Sequence, residues 1–448
     1  MGIDRQAIPP AVWSICAALR TRGHDAYLVG GAVRDLLRGV RPQDWDVATA
    51  ARPEEVLEAF PGSLPTGLKY GTVTVRRDEL NVEVTTFRGE GSYGDGRHPD
   101  EVAFGLSVEE DLARRDFTIN ALAFDPLRGT LVDPFGGLRD LRSRRLRTVG
   151  AAEERFREDA LRMLRFYRFQ AVLGFRPDGG AVRAIQPDLL RRVSQERIRD
   201  ELGKLLPAPY AGGALRGLAS TGLLAVFLPE AAACAAVAQG WFHRHDVLEH
   251  SIRAVETIRP ELRLRLAAFL HDIGKPPTRT ADGRGGVHFH GHDVRGGEMA
   301  EAALTRMHFP GDFAASVARL IRLHMFQLPP HPTEAALRRL LQKAGGPGGL
   351  RELLELRRAD IVATGRLNPL GARYWSQLRN CAEEVIAAGG AFSLRHLAVD
   401  GWDVMQVLGL PPGPEVGRIL KRLLEKVIED PALNERARLE EILRRGEF

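Results

Sequence analysis

The 448-residue chain has only three cysteines, Cys16, Cys234 and Cys381, spaced too widely for a disulfide framework or a thiolate metal site. Buried thiols in a reducing cytoplasm are the expectation. Long apolar runs are also missing. Leu215 to Leu228 is interrupted and Leu264 to Leu270 is short, so neither reads as a membrane span. The opening Met1-Gly-Ile-Asp-Arg lacks the basic-then-apolar layout of a secretory leader. No internal repeat is found. Charge of one sign is scarce as well, because 63 basic residues face 58 acidic ones for a net +5. That excess is too small to identify a polyanion binder. The basic residues are mostly arginine, and many fall between Arg142 and Arg199, a pattern that a high-GC coding bias also produces.

What is present is an ordinary globular composition, 44% hydrophobic and 27% charged, at a length that suggests about three domains. Ile8, Val12, Ile15 and Leu19 have helical spacing within residues 1–25, ahead of a strand at Tyr27. Strand-like alternation recurs at 71–75 and 80–87, and the turn at Arg77-Asp-Glu predicts a hairpin between them. Gly89 to Gly105 is too glycine-rich to pack and reads as a mobile loop. From Ala151 helical periodicity takes over, broken near Pro177 and Pro207. Residues 241–366 hold ten of the thirteen histidines, and helical pieces close the chain, including an amphipathic run from Val416 to Val427.

The chemistry begins at Tyr27-Leu-Val-Gly-Gly-Ala-Val-Arg-Asp-Leu-Leu-Arg-Gly39 followed by Asp44-Trp-Asp46. A strand delivers Gly30 and Gly31 into a turn where backbone N–H groups can approach phosphate oxygens. Asp44 and Asp46, two residues apart, project from one face of a strand and can chelate one or two Mg²⁺ ions through oxygen. Either fragment alone is an ordinary turn or a solvated loop. Their order and spacing together suit a triphosphate held beside divalent metal. Glu83 alternates with Val82 and Val84, and reads either as a third carboxylate or as a structural acid behind the site. Asp159, Arg162, Arg165 and Arg168 recur every three residues, which predicts one polar helix edge.

Together with Asp111-Leu-Ala-Arg-Arg-Asp-Phe-Thr-Ile-Asn120 and Arg157-Glu-Asp-Ala-Leu-Arg-Met-Leu-Arg-Phe-Tyr-Arg168, this head resembles the class II tRNA nucleotidyltransferase and bacterial poly(A) polymerase family. The resemblance implies an α+β fold: a polymerase-beta-like head with a mixed sheet and helices over residues 1–150, then an all-α neck (151–240), an HD region (241–370) and a tRNA-binding tail (371–448). It further implies that Asp44 and Asp46 hold catalytic Mg²⁺, with Glu83 as a candidate third acid, and that Gly30, Gly31 and Arg34 meet the nucleotide's phosphates. Arg115 and Asp116 would recognise the ribose hydroxyls. Asp159, Arg162, Arg165 and Arg168 would read the Watson–Crick edge of cytosine or adenine in place of a template. The segment Ser194 to Leu202 resembles a motif that braces the neck, and no chemistry is assigned to it.

In the histidine block, His250, Phe269-Leu-His-Asp-Ile-Gly-Lys275, His288, His290, His292 and Asp360 resemble an HD domain, a helical metal-dependent phosphohydrolase fold. The resemblance assigns His250, His271, Asp272 and Asp360 as ligands with His292 as an accessory, a mixed N/O set suited to Mn²⁺, Ni²⁺ or similar ions. The implied activity is template-independent addition of CCA to tRNA 3′ ends from CTP and ATP, with pyrophosphate released, in the cytoplasm. The full-length loop at Gly89 to Gly105 speaks against a CC-adding enzyme, whereas an A-adding enzyme or a poly(A) polymerase would keep it. A reading from another class is an HD phosphohydrolase whose head binds nucleotide without transferring it. The oligomeric state is not legible.

Overall fold

Strands β1 (Ala26–Val29), β2 (Trp45–Thr49), β3 (Leu64–Gly67), β4 (Thr72–Arg77) and β5 (Leu80–Thr86) are followed by the short antiparallel pair β6 (Arg88–Glu90) and β7 (Val102–Phe104), then β8 (Ala123–Asp125) and β9 (Thr130–Val132). Seven of them form one sheet in the order β3-β4-β5-β2-β1-β8-β9. It is mixed, because β2 and β5 run parallel while the other neighbours run antiparallel. The computed structural model describes residues 2–90, 102–239, 244–282, 286–365 and 369–448. Residues 91–101 of the expected glycine-rich loop therefore lie outside the described residues.

The anticipated hairpin is β4–β5. Arg77 pairs with Leu80, and the two residues between them, Asp78 and Glu79, take φ of 47° and 64°, the left-handed values that a two-residue turn needs to match strand twist. Alternation then sorts the side chains. Leu28, Val47, Val73, Val75, Val82 and Val84 are fully buried, while the other face carries Asp46 and Glu83. Further along that second face, the helix Val108–Ala113 packs Val108 and Leu112 onto Val29, Ala48, Phe87 and Ala123. The helix expected over 1–25 is shorter, Pro10–Thr21, with proline at its first position.

The chain divides into two units, Met1–Phe227 and Leu228–Phe448. In the first, the helix Leu161–Leu173 packs against Gln195–Leu205 and Ala211–Ser220. Gly217 permits that approach, since a Cβ there would lie 2.1 Å from Tyr167 Cε1. The second unit is built on helices Val247–Thr257, Leu262–Leu270, His292–Arg306, Gly311–Leu323 and Pro347–Ala363. Its tail has a core of Val404, Ile419, Leu423, Leu424, Val427, Leu439 and Leu443. No helix among the described residues is long and apolar enough to cross a membrane.

Candidate active site and metal centre

Gly30 takes φ +67° at the turn between β1 and the helix Gly31–Leu37. A Cβ there would sit 2.8 Å from Arg115 Nη1 and 3.7 Å from Asp46 Oδ2, so the glycine turn, the arginine and the carboxylate meet at one point. Asp46 lies on β2 in register with Glu83 on β5, and Asp44 is exposed on the bend just before β2. Burial, then the charges of Glu83 and Asp44, push the Asp46 carboxyl up to about 6 against the pull of Arg115. Three carboxylates beside one glycine turn, one of them reluctant to ionise, offer the oxygen ligation that a hard divalent cation takes. Among the described residues Asp44, Asp46 and Glu83 do not form a set of ligand atoms within 4.8 Å of one another.

Arg34, nearly buried, donates from Nε and Nη2 to Asp35 at 3.0 and 2.9 Å and from Nη1 to Asn120 Oδ1 at 2.8 Å. Asn120 in turn donates to Asp116 Oδ1 at 3.0 Å, and Arg165 donates to Asp116 Oδ2 at 2.9 and 2.6 Å. Burial alone would raise the Asp116 pKa. Instead the Arg165 guanidinium, with Asn120, holds it down at about 2. Arg115 and Arg114 both pair with the fully buried Asp111.

The expected edge of four residues is broken at its start. Asp159 is not on the helix: it is extended, φ −140° and ψ 105°, between the helices Ala152–Glu158 and Leu161–Leu173. Its Oδ1 accepts the Leu161 N–H at 3.0 Å and its Oδ2 accepts Arg197 Nη2 at 2.8 Å. An acceptor at that break can receive the orphan N–H of a helix start, and this local bond outweighs helical spacing. Arg162 pairs with Glu158 and donates to the Arg114 carbonyl at 3.2 Å. Arg165 and Arg168 share Glu201, at 3.8 and 2.7 Å. The segment left without chemistry thus supplies Arg197 and Glu201, two charged partners to the candidate base-reading residues.

In the second unit, His250, His271, Asp272, His292 and Asp360 converge with a sixth group, His324. Three overlapping sets, His250–His271–Asp272, His271–His324–Asp360 and Asp272–His292–His324, each hold their ligand atoms within 4.8 Å. His250 Nε2 is 3.0 Å from Asp360 Oδ1, and His271 Nε2 is 3.2 Å from Asp272 Oδ2. The Nδ1 atoms of His271, His292 and His324 reach the carbonyls of Ala268, Phe289 and Ile321 at 2.8, 2.7 and 2.6 Å. A carbonyl only accepts, so Nδ1 carries the proton and Nε2 is left for a metal. Among the described residues the buried His292 Nε2 has no hydrogen-bond partner, and it lies 3.5 Å from Asp272 Oδ1, a placement that suits a metal ligand. Against its burial, Asp272 and Asp360 raise His271 to about 10, so a metal would have to displace its Nε2 proton. Burial, then that charged His271, pushes His324 down to about 4, neutral at ordinary pH. Lys275 and Arg357 hold Asp272 and Asp360 at 2.6 and 2.7 Å. His288 and His290 stack on each other at the surface and are not among these ligand sets.

His324 escaped the sequence reading because no HD string surrounds it. Its only signal is a histidine ending an apolar-faced helix inside the histidine block. Asp111, Arg197 and Glu201 lie in strings that carry the resemblance, but nothing in the sequence assigns them partners. The fold buries Asp111 against Arg114 and Arg115 and pairs Arg197 and Glu201 with Asp159 and Arg168.

Residues 26–147 match the Poly A polymerase head domain family, 180–234 the probable RNA and SrmB-binding site of polymerase A, 246–363 the HD domain and 386–443 the putative tRNA nucleotidyltransferase domain 2. A CCA-adding enzyme of Geobacillus stearothermophilus is 37% identical over 95% of this chain and 94% of its own. An A-adding tRNA nucleotidyltransferase of Deinococcus radiodurans is 38% identical over 89% and 91%. The crystal structure of the Bacillus stearothermophilus CCA-adding enzyme in complex with CTP superimposes with a TM-score of 0.73 at 32% identity, covering 98% of both chains.

Proposed function

Because the chain belongs to the tRNA nucleotidyltransferase family of the CCA-adding enzymes, we propose that it adds C, C and A to tRNA 3′ ends from CTP and ATP, releasing pyrophosphate. The observation that carries this reading is the meeting of Gly30, Asp46 and Arg115 within 4 Å, with Glu83 in register beside them. Asp44 and Asp46, with Glu83 alongside, would hold Mg²⁺. Bound there, the ion supplies charge stabilisation for an in-line displacement at the α-phosphorus. Gly30 and Gly31 leave the backbone open to the triphosphate, and Arg34 adds fixed positive charge there. Arg115 and Asp116 offer a donor and an acceptor to the ribose hydroxyls. Asp159 and Arg162 offer an acceptor and a donor to the base edge, with Arg165 and Arg168 behind them.

The working division is a head over 1–150, a neck over 151–240, an HD region over 241–370 and a tail over 371–448, acting on tRNA in the cytoplasm. At the HD centre the four imidazoles and two carboxylates suit Mn²⁺ or Ni²⁺, and the reading there is a second, phosphohydrolase activity lost in His271→Ala.

The A-adding relative, as similar as the CCA-adding one, supports a second reading in which only the terminal A is added. Extension of tRNA transcripts ending at the discriminator base, at C and at CC separates the two. C, C and A followed by a stop establishes CCA addition, and A onto the CC transcript alone establishes the A-adding enzyme. Open-ended A tails would indicate a poly(A) polymerase, and no extension would leave the HD centre as the active site.

A further inference from the structure

Phe169 has no place in the roles above, yet three of the arginines assigned to nucleotide recognition surround its ring. The Cζ atoms of Arg168, Arg34 and Arg165 lie 4.1, 5.4 and 5.8 Å from its centroid. The ring is 6% exposed. It also packs edge-on against Phe117, 5.5 Å away at 78°, and Phe117 directly follows Asp116. One side chain therefore touches the glycine-turn helix through Arg34, the Arg-Arg-Asp element through Phe117, and the candidate base-reading helix on which it sits.

Three guanidiniums around one point repel one another. Each has its own counter-charge, Asp35 for Arg34, Asp116 for Arg165 and Glu201 for Arg168. Burial pushes Arg168 below the ordinary arginine value against the pull of Glu201, with Arg165 and Arg34 adding to that fall, whereas Asp116 holds Arg165 above its ordinary value. The carboxylates set the charge balance but lie on different elements. The Phe169 ring lies within 6 Å of all three cations, and its electron-rich face attracts them without consuming a donor N–H.

Resting on the nucleotidyltransferase reading, we infer that Phe169 is a positioning residue for the incoming nucleoside triphosphate, its ring fixing Arg34, Arg165 and Arg168 as one preset cationic cradle. It acts through the arginines and touches no reacting atom. Its effect belongs in the affinity for CTP and ATP, and less in turnover.

The test replaces Phe169 in the full-length protein by 3,4,5-trifluorophenylalanine, which keeps the ring's shape and drains its face of electron density, and separately by Leu and by Tyr. CTP and ATP binding are measured by calorimetry without tRNA, KM and kcat by tRNA extension, and folding by thermal unfolding. We expect the fluorinated ring and Phe169→Leu to weaken CTP and ATP binding and raise KM about tenfold. Turnover at saturation should change much less, and Phe169→Tyr should recover most of the affinity. Wild-type affinity in the fluorinated protein overturns the inference, because packing alone would tolerate that ring. Equal losses in the Tyr and fluorinated proteins, both with lowered unfolding temperature, also overturn it in favour of a structural role. If the wild-type protein binds neither CTP nor ATP, the nucleotidyltransferase reading itself fails, and this inference with it.

Discussion

Asp46 and Glu83 are register partners across the parallel pair β2–β5, so their carboxylates stand side by side on one face of the sheet. Register makes this arrangement hard to lose, because a one-residue slip of either strand would turn its acid to the buried face. It also helps explain why Asp46 ionises reluctantly. Burial of Asp46 is the larger cause, and the Glu83 charge that register places alongside adds to it.

Separate sites in the two units should respond separately to substitution. Asp46→Ala should lower nucleotide transfer roughly a thousandfold or more, as loss of a metal-positioning acid does, while divalent-ion binding at the histidine centre persists. Gel-resolved tRNA extension alongside metal analysis reads both. Parallel loss of the two would sink the two-site picture.

The raised Asp46 pKa sets the sign of a pH effect. Between about pH 4 and 6 the native protein holds a proton that the unfolded chain has released, so this group's share of stability falls as pH rises. Without divalent ions, the wild type should lose on the order of 2 kcal/mol relative to Asp46→Asn between pH 4 and 7. Added Mg²⁺ at pH 7 should restore most of it. Chemical denaturation of both proteins across the range is the check, and identical pH profiles would contradict it.

Arg165→Met would leave Asp116 buried beside Asn120 but without its cation. The expected cost is roughly 1–3 kcal/mol, below the range for a fully buried pair because the Arg165 side chain is 35% exposed and Asn120 and Arg162 still favour the charged Asp116. The further change Asp116→Asn should return part of it, since the stranded charge is then gone. A double-mutant cycle by urea denaturation measures this, and additive losses would show the two residues to be uncoupled.

Gly274 faces the His292–Arg306 helix so closely that a Cβ would lie 2.1 Å from the His292 carbonyl and 2.6 Å from Gly296 N. Gly274→Ala must therefore push His292 away from Asp272, at about 1–3 kcal/mol of strain. His324→Ala removes the sixth ligand directly. Both should weaken divalent-metal binding at least about tenfold and leave CTP addition to tRNA in place. Metal titration followed by competition with a chelator reads the first, and unchanged affinity in both would remove His324 from the ligand set.

Elements whose signals are local were legible beforehand. The β4–β5 hairpin declared itself through alternation around Arg77-Asp-Glu, and the turn at Gly30 through an apolar strand ending in two glycines. His271 and Asp272 stood out inside a compact string. What stayed hidden depends on partners distant in sequence. Asp159 was placed on a helix face by its spacing, yet its carboxylate caps the next helix and pairs with Arg197, 38 residues on. His324 joins its site only when two helices bring it beside Asp272. Nothing in the sequence distinguishes Phe169 from any other apolar helix position, because Arg34 reaches its ring from another element.

The imidazoles of His271, His292 and His324 are each oriented by the main-chain carbonyl three residues back, in places where many metal sites use an acidic side chain. Main-chain oxygens are not encoded by any codon. Substitutions at Ala268, Phe289 or Ile321 can therefore change every side chain that might have steered these rings without removing the groups that do. For as long as the local turns survive, the orientation of the ligands is inherited with the fold and is shielded from drift in the surrounding sequence.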